Sequence, residues 1–208
     1  NRAIKEASTP PTGPVVLSIP NSIQGKVAKH QWFSSRGRQV VMDIGPSQES
    51  LKKAAQLIAG AKNPVIVAGH SIADAEAVSE LVSLAETMAA PVYTGNETRL
   101  IFPSNHPLYR GLAFQQSYAL RRLAASSDVL LVIGSGIFKY DDPSEMPIVS
   151  AETRVIQIDL DVRALARFCS TEMALLANPK VALGALEVEI GRLISRKEHA
   201  DRLERLKA

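Results

Sequence analysis

Gly134, Ser135 and Gly136 are the residues whose types and spacing most suggest ligand chemistry in this sequence. They follow the apolar run 128–133, and glycines that follow a strand can let backbone N–H groups approach a phosphate. A complete dinucleotide-binding fingerprint would need a third glycine at position 139, where the sequence has Lys139. The pattern therefore allows two interpretations: a weak nucleotide site, or a tight turn that the fold requires.

The same edge of the protein is predicted to hold four more candidate residues. Gly69 and His70 end one apolar run, and Asp159 and Asp161 end another. Ligands of open α/β sheets bind beyond the carboxyl ends of the strands, where a carboxylate can accept a hydrogen bond from a ribose hydroxyl. The alternative is that the glycines permit turns and that Asp161 caps a helix. The candidate site thus consists of seven residues: Gly69, His70, Gly134, Ser135, Gly136, Asp159 and Asp161.

Common catalytic and metal-binding motifs do not occur in the sequence. It contains no G-x-S-x-G nucleophile turn, no Walker loop and no H-E-x-x-H pair. No two of its four histidines have the spacing of a helical metal pair, and the single cysteine, Cys169, cannot form a disulfide framework or a zinc ribbon. We therefore predict no metal-binding residue, a buried structural role for Cys169, and a loop-fixing role for His106.

Composition and charge argue against two classes of partner. Of the 208 residues, 46% are hydrophobic and 22% are charged, and no block of Lys and Arg is interleaved with aromatic residues, which disfavours nucleic-acid binding. No apolar run has the length of a membrane span. The single cysteine indicates a reducing compartment, so we predict a cytoplasmic protein. Residues 196–207 alternate bases with acids, which predicts a helix with solvated faces.

The candidate residues must be positioned by alternating strands and helices. Six runs are rich in Val, Ile and Leu with little polar alternation, as in strands buried on both faces: 14–20, 63–69, 90–95, 128–134, 154–160 and 173–178. Apolar stripes at helical spacing lie between them, over 49–61 and 73–89. Repeated β-then-α units predict an α/β fold, a doubly wound, mainly parallel six-stranded sheet with helices on both faces, which is Rossmann-like.

Three helix starts are predicted from capping residues. Ser71 and Asp74 have the spacing of a capping box. Asp161 precedes the helical pattern 162–168 and can cap it. Asn178 precedes a proline, the favoured residue at the first helical position.

Two long irregular stretches, 18–47 and 96–117, interrupt the pattern. The residues before the first stretch supply one helix end and one strand, which cannot form a core. We therefore expect 1–24 to be a remnant of an upstream domain, 25–47 to be a linker and 48–208 to be the main domain. The chain starts with Asn1 instead of Met, which also indicates a fragment or a processed product.

Five segments in this order resemble one enzyme family: 13–24, 61–72, 102–111, 128–142 and 153–161. The family is that of the thiamine-diphosphate-dependent enzymes of the acetolactate synthase, pyruvate oxidase and benzoylformate decarboxylase group, and the resemblance is to their central domain. The likeness to benzoylformate decarboxylase-like members is closest in "FPSNHPLYRG" (102–111). The resemblance to the family covers nearly the whole chain.

The resemblance implies a parent enzyme that decarboxylates or joins 2-oxo acids with thiamine diphosphate and Mg²⁺. These would bind between a pyrimidine-binding domain, of which 1–24 is the tail, and a diphosphate-binding domain, so the chain by itself would hold no catalytic residue. The parent would be a homo-oligomer.

In this family the central domain binds FAD in some members and ADP in others, and it is structural in the benzoylformate decarboxylase-like branch. FAD-binding members tend to have an arginine where this sequence reads Ser-Gly-Ile-Phe, at 135–138. The resemblance therefore favours a structural domain with a vestigial nucleotide cleft. The alternatives are an FAD- or ADP-binding module and, less favoured because of the single cysteine, a sirtuin-like NAD-binding domain.

Overall fold

The computed structural model describes residues 2–26, 40–95, 99–113, 118–135, 149–167 and 169–207. The chain divides into two compact units, Asn1–Met42 and Asp43–Ala208. The first unit contains helices α1 (Arg2–Ser8) and α2 (Asn21–Gln24). Most of the predicted linker, 27–39, lies outside the described residues.

The predicted strand over 14–20 is not formed. These residues have no helix or strand, and the side chains of Val16 and Leu17 are 92% and 70% exposed. A strand is stable only where a neighbouring strand takes up its backbone N–H and C=O groups. The described residues of the first unit supply no such neighbour.

The second unit is built on a parallel sheet of six strands, which confirms the predicted fold class. Their order across the sheet is β3-β2-β1-β4-β5-β6, and every neighbouring pair is parallel. This is the order of a doubly wound dinucleotide-binding sheet. The strands are β1 (Pro64–Ala68), β2 (Val92–Thr94), β3 (Tyr109–Leu112), β4 (Val129–Ile133), β5 (Arg154–Asp159) and β6 (Met173–Leu176).

Helices cover both faces of this sheet, as predicted. In β4, Leu131 packs in one core cluster with side chains of α3, α5 and α7, whereas Leu130 packs in a second cluster with Leu123 of α6. Successive side chains of a strand point to opposite faces, so the two clusters mark the two faces. The helices are α3 (Gln48–Ala59), α4 (Ser71–Asp74), α5 (Val78–Met88), α6 (Tyr118–Ser126), α7 (Pro179–Leu193) and α8 (Arg196–Lys207).

Strand β3 lies within 96–117, a stretch that was predicted to be irregular. β3 forms the edge of the sheet, and its residues alternate between half-buried and exposed. Its sequence contains Arg110 and Gly111, neither of which is typical of a buried strand. The strand forms because β2 offers it a partner, with Val92 paired to Tyr109.

The helix predicted over 73–89 is two helices, α4 and α5. Glu76 between them has a left-handed φ of 50°, which a continuous helix cannot include. The capping box predicted at Ser71 is also wrong, because His70 holds the N-cap position and makes no side-chain cap bond. The prediction at Asn178 is confirmed: its side chain accepts a hydrogen bond from the N–H of Lys180, and Pro179 is the first helical residue.

The region after β5 forms turns in place of the predicted helix. Asp161 Oδ1 accepts a hydrogen bond from Arg163 N at 3.0 Å, as a capping carboxylate would. The chain then passes through turns to Ala166, whose φ of 51° is left-handed. Asp161 therefore caps a turn.

The helix predicted over 196–207 is confirmed as α8, but its faces are not all solvated. Arg202 is 3% exposed, because its side chain reaches the ends of two other helices. No described helix has the length and apolar content that a bilayer crossing requires.

Candidate functional site

The centre of the sheet is where a doubly wound fold places its ligand crevice. The strand order reverses between β1 and β4, so the connections that leave these two strands go to opposite sides. Gly69 follows β1, and Gly134 and Ser135 follow β4. The structure therefore brings these three predicted residues together. Gly136 lies outside the described residues.

Gly69 packs directly against the chain that leaves β4. A Cβ atom built on Gly69 would lie 2.3 Å from the carbonyl oxygen of Gly134 and 2.5 Å from the Cα of Ser135. The N–H of Gly69 donates to the carbonyl of Ile133 at 2.9 Å. The close approach of two backbone segments thus requires glycine at this position. Its N–H is bonded to the Ile133 carbonyl and is not free to donate to a ligand.

Gly134 is enclosed in the same way from the other side. Its φ of 55° is left-handed, and a Cβ atom there would lie 2.2 Å from the Cβ of Ser71. Its N–H donates to the carbonyl of Ile158 at 2.9 Å, and its own carbonyl accepts from the N–H of Ser71 at 3.4 Å. Phosphate cradles expose such backbone N–H groups to the ligand. Here both glycine N–H groups are bonded to carbonyls of the neighbouring strands.

The acidic end of β5 lies at the same edge. Asp159 is 9% exposed, and its Oδ1 accepts a hydrogen bond from Asp161 N at 2.9 Å. Burial raises the pKa of Asp159, while the bond from Asp161 and the nearby His70 act in the opposite direction. His70 follows β1 and Asp159 ends β5, so the two predicted residues lie at the same edge of the sheet, on either side of β4. His70 is exposed, so this corner of the edge is open to solvent on one side.

Asp161 is used locally. Besides capping the turn, its carboxylate pairs with the Arg163 guanidinium, with Nε 2.9 Å from Oδ1 and Nη2 3.2 Å from Oδ2. This contact raises the pKa of Arg163. A ribose hydroxyl would have to compete with that ion pair.

Gln157 is a residue of this edge that the sequence interpretation missed. It is 6% exposed on β5; its Oε1 accepts from Ala166 N at 2.6 Å, and its Nε2 donates to the Sγ of Cys169 at 3.7 Å. It thereby fixes the turn region 161–169 against the sheet. The signal was available, because Gln157 lies between two isoleucines in the run 155–158, which is otherwise apolar. The half-buried Cys169 belongs to this bracing contact.

His106 fixes its own loop, as predicted. Its Nδ1 accepts a hydrogen bond from Leu108 N at 3.2 Å, so Nε2 carries the proton and donates to Glu86 Oε1 at 3.2 Å. The ring also packs edge-on against Phe102, with ring centres 5.0 Å apart. The segment 102–111 therefore braces the carboxyl end of α5.

Two concavities formed by described residues lie away from the predicted site. In the described part of the chain, no three His, Cys, Asp or Glu side chains are grouped so that they could hold a metal ion. A concavity of about 550 Å³ lies at the amino ends of β4, β5 and β6, lined by Asp128, Arg154 and Glu172 among others. A second, of about 480 Å³, lies beside Arg99 and Leu100. Neither is lined by any of the seven predicted residues.

Comparison with known proteins points to one family. Residues 51–186 match the model of "Thiamine pyrophosphate enzyme, central domain". The chain is 29% identical to benzoylformate decarboxylase of Pseudomonas aeruginosa over 168 residues, which covers 80% of this chain and 32% of that protein. It is 32% identical to sulfoacetaldehyde acetyltransferase of Castellaniella defragrans over 173 residues, covering 80% of this chain and 29% of that protein.

A solved structure shows the same arrangement. The crystal structure of benzoylformate decarboxylase from Polynucleobacter necessarius superposes with a TM-score of 0.72 at 27% sequence identity, covering 91% of this chain and 34% of that one. The chain thus spans about a third of the length of the relatives that it matches.

Proposed function

Because the chain belongs to the family of thiamine pyrophosphate enzyme central domains, we propose that it serves as the structural central domain of a thiamine-diphosphate-dependent 2-oxo acid decarboxylase or carboligase. The names of its relatives support this class, since they are decarboxylases, acetyltransferases and acetolactate synthases. Their reactions are properties of proteins about three times as long as this chain.

The proposal assigns no catalytic step to this chain. The resemblance places the diphosphate and its Mg²⁺ at a G-D-G motif, which this sequence does not contain. The described residues contain no group of three His, Cys, Asp or Glu side chains that could hold a metal ion. Thiamine diphosphate and Mg²⁺ would therefore be held by the pyrimidine- and diphosphate-binding domains of the same enzyme.

The observation that carries the proposal is the contact between Gly69 and Gly134. A pyrophosphate in a doubly wound fold needs backbone N–H donors and open space at the switch point. Here the space next to both glycines is filled by the chain itself, and both N–H groups bond to strand carbonyls. This arrangement supports a structural role for the two glycines over the binding of FAD or ADP that the resemblance gives to the central domain of some members.

A second candidate function is supported by the other side of the same edge. Asp159 and His70 lie at the same edge of the sheet, at the ends of β5 and β1, and His70 is exposed. A ligand that approached only this corner, through a ribose or an adenine, would not need the glycines. This supports the alternative of an FAD- or ADP-binding module of an acetolactate synthase-like enzyme.

Titration calorimetry separates the two functions. The purified chain is first scanned for flavin absorbance and then titrated with FAD, with ADP, and with thiamine diphosphate plus Mg²⁺. A colourless, folded chain that shows no binding at millimolar ligand supports the structural function. One-to-one binding of FAD or ADP at micromolar concentration contradicts it, and loss of that binding in Asp159→Asn would place the ligand at the β5 corner.

We further propose the division of the chain into a tail of the pyrimidine-binding domain (1–24), a linker (25–47) and the central domain (48–208). The exposed side chains of Val16 and Leu17 support it, since an apolar extended segment requires a partner surface. A homo-oligomeric, cytoplasmic parent enzyme remains part of the same proposal.

A further inference from the structure

The C-terminal helix α8 is attached to the domain by a buried cation. The side chain of Arg202 is 3% exposed and donates hydrogen bonds to four backbone carbonyls. The acceptors are Met88 O at 2.9 Å, Ile58 O at 3.1 Å, Ala59 O at 2.7 Å and Ala61 O at 2.8 Å. One guanidinium thus holds the carboxyl ends of both α3 and α5.

Arg202 acts as a helix C-cap for α3 and α5, although it belongs to a third helix, α8. The last carbonyls of a helix have no partner within the helix and carry the negative end of its dipole. A guanidinium offers several donors in a rigid plane and stays protonated even though burial lowers the pKa of Arg202. It therefore satisfies two helix ends at once.

The remaining contacts of α8 are mostly polar and lie at its margins. His199 Nε2 donates to Glu86 O at 2.8 Å, and Arg205 Nη2 donates to Lys62 O at 3.0 Å. Arg110, from the segment 102–111, donates to Leu206 O at 2.9 Å. Of the α8 side chains that the structure describes, Arg202 alone is buried, and the apolar contribution comes from the half-buried Leu203 and Leu206.

We propose that α8 is a latch: a helix that Arg202 holds in place and that detaches as one unit while the sheet stays folded. The core clusters of the sheet do not depend on any fully buried apolar side chain of α8. Helices α3 and α5 also have their own terminal bonds, at Gly60 and Ala89. This consequence rests on the proposed function: where a further domain of the same enzyme follows α8, detachment of the helix would let that domain move relative to the sheet.

Hydrogen exchange measured by mass spectrometry tests the latch on the full 208-residue chain. In Arg202→Met, which keeps an unbranched apolar stem but removes the guanidinium donors, amides of 199–207 should exchange at least ~10-fold faster, given the usual strength of hydrogen bonds to a charged group. Amides of β1, β4 and β5 should be unchanged. Arg202→Lys should lie between the two, because an ammonium keeps the charge but loses the planar geometry.

The control is Arg196→Met, an exposed arginine on the same helix, which should exchange like the unchanged protein. Two results would overturn the proposal. Protection of 199–207 within about twofold of the unchanged protein in Arg202→Met would show that Leu203 and Leu206 suffice to hold the helix. Faster exchange throughout the sheet, or a variant that does not fold, would show that α8 is an integral part of the core.

Discussion

Gly69 and Gly134 lie against each other at the carboxyl ends of adjacent parallel strands, so close that a Cβ atom on Gly69 would lie 2.3 Å from the carbonyl oxygen of Gly134. Side-chain atoms do not approach a backbone oxygen to that distance. The two loops that leave the centre of the sheet can therefore meet only if glycine occupies both positions. This contact gives Gly69 and Gly134 a role in the close approach of two backbone segments.

The first prediction concerns this contact. Gly69→Ala should lower the free energy of unfolding by about 2 kcal/mol or more, because the two nearest atoms that the new methyl group meets belong to backbone, which can yield only by shifting a strand end. Urea denaturation followed by circular dichroism measures the change. A variant within about 0.5 kcal/mol of the unchanged protein would mean that the two loops separate easily.

Gly184→Ala is the matched control and a prediction in its own right. Gly184 lies inside α7, and a Cβ atom there has no neighbour within 4 Å. Alanine in a helix interior is more favourable than glycine by about 1 kcal/mol, so this variant should be stabilised by up to that amount. The same urea titration checks it. Destabilisation would show that a methyl group at position 184 disturbs the packing of α7.

The sequence predicted those strands that are apolar along their whole length and are also buried along their whole length. β1 and β4 are buried along their whole length, so their apolar runs indicate them without further information. β3 was missed because an edge strand depends on its neighbour, and the strand over 14–20 was wrong because apolar composition alone supplies no partner. Strand pairing is a property of distant residues, which a local pattern does not contain.

The candidate site shows the same limit at the level of atoms. Glycines that admit a phosphate and glycines that admit another backbone segment have the same sequence pattern, so the position of Gly69 and Gly134 was predictable but their neighbours were not. The burial of Arg202 was hidden for a similar reason. The sequence of 196–207 predicts a solvated helix. The acceptors of Arg202 are carbonyls 114 to 144 residues away in the chain.

Asp159→Asn should change how stability depends on pH. Burial raises the pKa of Asp159 above its ordinary value of 3.8, so the folded state binds this proton more tightly than the unfolded state. Its contribution therefore becomes less favourable as pH rises from about 3.8 through the folded pKa. Asparagine keeps an oxygen to accept from Asp161 N and carries no charge.

The measurement for this variant is the thermal midpoint from pH 4 to pH 8. Asp159→Asn should have a higher midpoint than the unchanged protein at pH 7, and the difference should shrink as the pH approaches 4. Asp201→Asn, on the exposed side of α8, is the control and should show no such trend. An advantage of Asp159→Asn that is the same at both ends of the range would contradict the role of burial.

Asn178→Ala tests the start of α7. The Asn178 side chain accepts a hydrogen bond from Lys180 N at 2.9 Å, and alanine cannot replace that acceptor. Removal of an N-cap side chain costs about 1 kcal/mol, which the midpoint of urea denaturation should report. Asn178→Asp keeps a capping oxygen and should retain most of the stability. Equal losses in both variants would show that the amide N–H₂ group matters instead of the cap.

The last prediction concerns the start of α8, where Ser195 and Glu198 form a reciprocal capping pair. Ser195 Oγ and Ser195 N donate to Glu198 Oε2 at 2.7 Å and 2.8 Å, and Glu198 N donates to Ser195 Oγ at 3.2 Å. The bonds from the Ser195 side chain and backbone hold the pKa of Glu198 below its ordinary value of 4.5. The ionised carboxylate therefore stabilises the helix start above pH 4.5, and this contribution is lost as the pH falls through the lowered pKa.

Carbon chemical shifts of residues 196–200, followed by NMR from pH 7 to pH 3, should report fraying of the first turn in that range. Glu198→Gln keeps an acceptor of the same shape without an ionisable proton, so its first turn should be insensitive to pH over the same interval. An identical pH profile in the two proteins would assign the fraying to another group.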